Sequence, residues 1–131
     1  MDKRIIWTGA LAAGALLIAM TSAPLSAGQA DVENGKMAFD QCASCHTVDG
    51  SESDGPALQG LFGRKAGSLE SYRFSAAMSR SETVWDAMTL DKFLMDPQAS
   101  IPGNKMAFAG IDDAKLRTDL IAYLEEATKK K

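Results

Sequence analysis

The chain has 131 residues, with 14 basic and 17 acidic side chains and a net charge of −3 at neutral pH. That length makes one small domain beside any leader, and the acidic balance disfavours nucleic acid as a partner. With two cysteines and one histidine in all, a structural zinc site, which takes about four such ligands, is out of reach.

The first stretch is unlike the rest of the chain. Asp2, Lys3 and Arg4 form a charged head, Ile5 to Met20 is an uncharged and mostly apolar run, and small residues come next. This is the pattern of a secretory signal peptide over residues 1–30. Gly28-Gln29-Ala30 offers small residues at both positions that a signal peptidase reads, which places the cut before Asp31, with Ser26-Ala27 as second choice. The alternative is a retained membrane anchor, but Ile5 to Met20 is shorter than the ~20 residues of a spanning helix. Either way the domain, residues 31–131, is expected outside the cytoplasm. A cleaved leader makes it a soluble periplasmic protein.

Asp31 to Ser44 reads as a helix capped by Asp31, with Glu33 in its first turn and Val32, Phe39 and Cys42 on one face. Gly35 is a poor helix residue unless another helix approaches closely there. The Gly-, Ser- and Asp-rich stretch from Thr47 to Gly67 reads as loop, with Gly55-Pro56 as a turn. Short helices are expected over Ser75 to Ser79 and Leu90 to Asp96, the second capped by Thr89 and stopped by Pro97. Ile101 to Met106 is loop again. Asp112 to Thr128 carries Leu116, Leu120, Tyr123, Leu124 and Ala127 at helical spacing, the stripe that would meet Gly35. No β-structure is required, so the expected class is all-α.

The chemistry lies in Cys42-Ala43-Ser44-Cys45-His46. Two thiols at this spacing can bond the vinyl groups of one haem, and the adjacent imidazole can reach its iron. A redox dithiol shares the Cys-x-x-Cys spacing but belongs to folds that alternate strands with helices, and no strand pattern is present. Because His46 is the only histidine, the sixth ligand must be Met, Lys, water or an exogenous molecule. Met1 and Met20 leave with the leader, and Met37, Met78, Met88 and Met95 lie in or beside helical stretches. Met106 alone follows a Pro-Gly turn in a loop. A domain this small buries little by itself, so the apo chain is expected to fold poorly.

The ordered set of Cys42 to His46, Gly55 to Gly67, Trp85, Ile101 to Gly110 and Leu120 to Leu124 resembles class I c-type cytochromes, of the bacterial cytochrome c2 and mitochondrial cytochrome c kind. The likeness covers essentially all of residues 31–131. It implies the cytochrome c fold, with the first and last helices packed together and shorter ones wrapped around one covalent haem c held by Cys42 and Cys45. It implies His46 and Met106 as axial ligands, and the Pro56 carbonyl as acceptor for the His46 ring N–H. Arg64, Trp85 and Asn104 match propionate-binding positions, and Phe108 matches an aromatic covering the haem edge. Phe74 replaces a common propionate-binding Tyr, leaving Tyr72 as the substitute. Phe93 stands where many relatives have a Tyr touching the Met sulfur.

The resemblance implies a one-electron carrier and no enzyme, since both axial positions are filled by protein. The partners it implies are a quinol-oxidising complex and a terminal oxidase or photosynthetic reaction centre, met transiently by a monomer. The rival is a peroxidase or ligand-binding cytochrome with an open sixth site. That rival needs a distal acid–base group, and none stands out. Mitochondrial relatives ring the haem edge with lysines. Here Gln41, Gln98, Ala99, Asp112 and Asp113 stand at positions often basic there, while Lys36, Lys65 and Lys105 remain.

Overall fold

Asp31 starts the first helix by turning its carboxylate back onto the Asn34 N–H at 3.0 Å, and the other four described helices also begin with a side-chain cap. The computed structural model describes residues 28–130. The leader expected over residues 1–30 therefore lies, up to residue 27, outside the described residues.

Helix α1 runs Val32–Phe39. It is shorter than the expected span to Ser44, because beyond Phe39 the chain winds in tight turns in which Cys42 N–H reaches the Phe39 carbonyl at 2.7 Å and Cys45 N–H the Cys42 carbonyl at 3.0 Å. Helix α2 (Ala76–Arg80) is capped by Ser75, close to expectation. Helix α3 (Ala87–Met95) begins earlier than expected, since Asp86 rather than Thr89 is the cap. Thr89 occupies the third helical position and bonds back: Asp86 accepts from Thr89 N–H at 2.7 Å while the Thr89 hydroxyl accepts from Asp86 N–H at 2.8 Å.

Pro97 does not simply stop α3. With Asp96 as cap it opens a further short helix, α4 (Pro97–Ser100), which the sequence pattern did not reveal. Helix α5 (Ala114–Ala127) is capped by Asp113, which accepts from both Lys115 and Leu116 N–H groups. Among the described residues the only departure from helix and loop is an isolated antiparallel bridge between Lys65 and Val84. Trp85 N–H donates to the Arg64 carbonyl at 2.9 Å beside it. The class is all-α as expected, and the bridge fixes Arg64 next to Trp85.

Helices α1 and α5 cross where Gly35 lies. A Cβ on Gly35 would strike the Asp119 carbonyl oxygen and come within 2.9 Å of the Tyr123 Cβ, so only glycine admits this approach. Phe39 packs on Tyr123 with ring centres 5.5 Å apart, and Leu120 beneath them is wholly buried. The core continues from Leu120, Ile121 and Leu124 to Leu90, Phe93 and Leu94 on α3. An ion pair joins these two helices: Arg117 Nε donates to Asp91 at 2.7 Å while its Nη1 donates to the Ile111 and Asp112 carbonyls.

Candidate functional site

Between α1, α3, α5 and the loops lies a cavity of about 330 Å³. That size falls within the roughly 300–1,000 Å³ of organic cofactor sites. Its walls are mostly apolar and include Leu61, Trp85, Phe93, Leu94, Leu120 and Leu124, which also belong to the buried core. Cys42, Cys45 and His46 reach it from the turns after α1, and Met106 reaches it from the loop between α4 and α5.

Cys42 is half-buried in that wall, and burial pushes its thiol pKa up to about 11, while Cys45 is exposed. The ring of His46 is oriented by its Nδ1 atom, 2.8 Å from the Pro56 carbonyl. With Nδ1–H donated there, the lone pair stays on Nε2, the tautomer a metal ligand needs. Gly55 makes this contact possible. A Cβ there would lie 2.7 Å from the Cys45 carbonyl and 2.8 Å from His46 Cε1. The Gly55 N–H bonds that same carbonyl at 2.7 Å, tying the turn to the Cys-x-x-Cys-His segment.

The other expected site residues divide into two groups. Arg64, Tyr72, Trp85 and Phe108 all line the cavity with His46 and Met106. Asn104 does not. Its buried amide donates to the Pro97 and Ile101 carbonyls at 2.8 and 2.9 Å, and its oxygen accepts from the Met106 N–H at 2.9 Å. Both amide hydrogens are thus committed to backbone, so Asn104 shapes the loop that presents Met106 and has no donor left for a carboxylate. Gln98 assists by donating to the Asn104 carbonyl at 3.0 Å. At the sequence level Gln98 is a surface position of altered charge, and only the fold shows it bracing this loop.

The polar groups on the wall are suited to anions. Arg64 donates to the Gln59 and Ala57 carbonyls, each at 3.0 Å, and finds no carboxylate among the described residues. Burial lowers its pKa from the ordinary arginine value, yet a guanidinium stays charged at any working pH. Trp85 is buried, packed edge-on against Phe93 with ring centres 5.0 Å apart. Its indole N–H takes no described acceptor. Tyr72 stacks edge-on against Phe74 at 4.9 Å, and its ring carries the Lys105 ammonium 4.8 Å from its centre. A cavity with two thiols and an imidazole at one side, a thioether at another, an apolar lining and a cation beside unused N–H and O–H donors fits haem with its two propionates.

The residues from 32 to 128 match the family model described as Cytochrome c. The chain is 48% identical over 102 residues to cytochrome c of Gibberella zeae, an alignment covering 76% of this chain and 96% of that protein. It is 44% identical over 98 residues to cytochrome c2 of Rhodoplanes tepidamans, covering 73% and 92% of the two chains. Among solved structures it is similar to cytochrome cH from Methylobacterium extorquens, with a TM-score of 0.70, 41% identity, and coverage of 73% of this chain and 98% of that one.

Proposed function

The chain belongs to the cytochrome c family, as an electron carrier with covalent haem c and not an enzyme, and from there we propose that it is a periplasmic carrier with His46 and Met106 as axial ligands. When bound, haem supplies a single-electron couple between Fe(III) and Fe(II). Cys42 and Cys45 hold it by thioether bonds. The Pro56 carbonyl keeps the His46 Nδ1 proton and so leaves Nε2 to the metal. Arg64, Tyr72 and Trp85 offer charge and hydrogen bonds to the propionates, and Phe108 helps keep water from the cavity.

The observation that carries the reading is that His46 and Met106, which arrive on separate loops, line one cavity whose remaining wall is apolar. His46 and Met106 would together hold the iron of a bound haem and leave a substrate no open site on it, which favours transfer of electrons over peroxidase chemistry. The relatives named cytochrome c2 support a bacterial setting, and the leader pattern of residues 1–30 supports export with cleavage before Asp31. Among the described residues no helix is long and apolar enough to cross a membrane. The partners are a quinol-oxidising complex as donor and a terminal oxidase or photosynthetic reaction centre as acceptor, met as a monomer.

Carbon monoxide binding to the reduced protein tests the ligand set. The native protein should bind it poorly and Met106→Leu rapidly. Rapid binding by the native protein would favour the open-site rival instead.

A further inference from the structure

The α1–α5 interface contains a carboxylate that the electron-carrying site does not use. Asp119 on α5 is wholly buried and accepts from three donors: the main-chain N–H of Asp31 at 2.8 Å, Nδ2 of Asn34 at 2.7 Å and Nζ of Lys115 at 2.5 Å. These bonds, that from the Asp31 N–H foremost, hold its pKa down to about 2, so it is an anion in the folded protein. Among the described residues Lys115 is its one cationic partner, and that side chain is half exposed.

The nitrogen of Asp31 is also the atom that loses its acyl group if the leader ends at Ala30. We propose that cleavage of the Ala30–Asp31 bond completes this interface, because the α-ammonium it creates on Asp31 becomes the second cationic partner of Asp119. The proposal rests on the reading that the leader ends at Ala30. In the cleavage step an export-associated endopeptidase adds water across the peptide bond. The hydroxyl goes to the Ala30 carbonyl carbon and a proton to the Asp31 nitrogen, with no change of oxidation state. The new amine then takes one further proton from solvent. Gly28 and Gln29 are exposed and Ala30 half-buried, so the scissile bond lies at the surface with the Asp31 nitrogen just inside it.

The sign of the effect depends on Asp119. A cation at the start of a helix opposes the helix dipole, so on α1 alone cleavage would be unfavourable. The charged groups around the new amine are the Asp31 carboxylate and Glu33 on α1, and Asp119 and Lys115 on α5; α1 packs against no other described helix. Three are carboxylates, and the nearest is buried and 2.8 Å away. Together they raise the pKa of the α-ammonium above its ordinary ~7.7–8.0. A raised folded-state pKa gives stability that is fully present below the unfolded value and lost as pH rises through the folded one. A chain with residues retained before Asp31 has a neutral amide at this position and lacks that dependence.

The test compares two holoproteins matured in an exporting host, one beginning at Asp31 and one retaining Gln29-Ala30 through a leader with a shifted cleavage site. Urea unfolding at about pH 7 should favour the Asp31 form by roughly tenfold in the unfolding constant, the equivalent of one pKa unit. That advantage should vanish by about pH 10, and Asp119→Asn should abolish it. In the folded Asp31 form, the acylation rate of the α-amine, read by mass spectrometry against pH, should have a higher midpoint than in the denatured chain. This second measurement holds even if Asp119→Asn fails to fold. Equal pH dependence in the two forms, or an unshifted acylation midpoint, would overturn the ion pair. A natural N-terminus other than Asp31, read from the intact mass of the native product, would overturn the processing step and the leader reading, while the engineered pair of proteins still decides whether the pairing exists.

Discussion

Phe93 is buried against Trp85 and lines the cavity, so the aromatic position carries no hydroxyl. In relatives with Tyr there, a hydrogen bond to the Met sulfur withdraws electron density and favours Fe(II). Phe93→Tyr should therefore raise the reduction potential, and voltammetry that finds it unchanged or lowered would count against the assignment. At this scale the sequence was most informative where the chemistry is local. The His46–Pro56 contact was anticipated through the resemblance, because the Cys42–His46 pentad and the Gly55-Pro56 turn are both part of its ordered motif. The resemblance placed Asn104 among the propionate-binding positions, and its type gave no sign of the three backbone hydrogen bonds that it makes around α4, which follow the course of the chain there. Arg117 gave no signal at all. It lies on a polar-looking part of α5, and its partner Asp91 is 26 residues away.

Among the elements, the contact of α1 with α5 is the most demanding. Gly35→Ala would place a methyl group against the Asp119 main chain, and forcing those helices apart should cost at least the ~1–3 kcal/mol of an overpacked core. Urea denaturation of the holoprotein would measure it. The same interface has an acid limb. Asp119 has a folded-state pKa of about 2 against an ordinary 3.8, so its contribution is present above the ordinary value and is lost as pH falls through the lower one. An acid titration should show stability falling between about pH 4 and 2, with a shallower fall in Asp119→Asn; parallel curves would rule out this role.

Four of the five described helices were legible from caps and periodicity, α4 being hidden because Pro97 reads as a stop, and the meeting of Gly35 with the Leu120 stripe could be inferred from the cost of glycine in a helix. Boundaries were less so. No Pro or Gly marks the change of winding after Phe39, and two caps three residues apart, Asp86 and Thr89, compete for the start of α3 until their reciprocal bonds are seen.

For the whole molecule, charge around the cavity mouth sets how partners are met. Lys65 is paired with Glu82 at 2.8 Å, and Lys105 is drawn onto the Arg73 carbonyl and the Tyr72 ring, while Asp54 also lines the opening. Two of the acidic and amide positions that replace lysines have internal duties: Asp113 caps α5 and Gln98 braces the Met106 loop. With Lys65 paired, Lys105 drawn inward and Asp54 beside them, the cavity lining offers less free positive charge than a ring of unpaired lysines would. Electron transfer to an acidic-faced oxidase should lose little rate as salt rises, and stopped-flow measurements showing a steep loss would refute this.

The sharing of residues between cavity wall and core has one more consequence. Trp85, Phe93, Leu94, Leu120 and Leu124 cannot shift without disturbing the packing of α3 against α5, and the Arg64 guanidinium is pinned by two carbonyls. When the charge inside such a cavity changes by one unit, few nearby dipoles are able to turn in response. The reorganisation that accompanies gain or loss of an electron is therefore small, and the same packing that keeps this small domain folded lets it exchange electrons quickly in both directions.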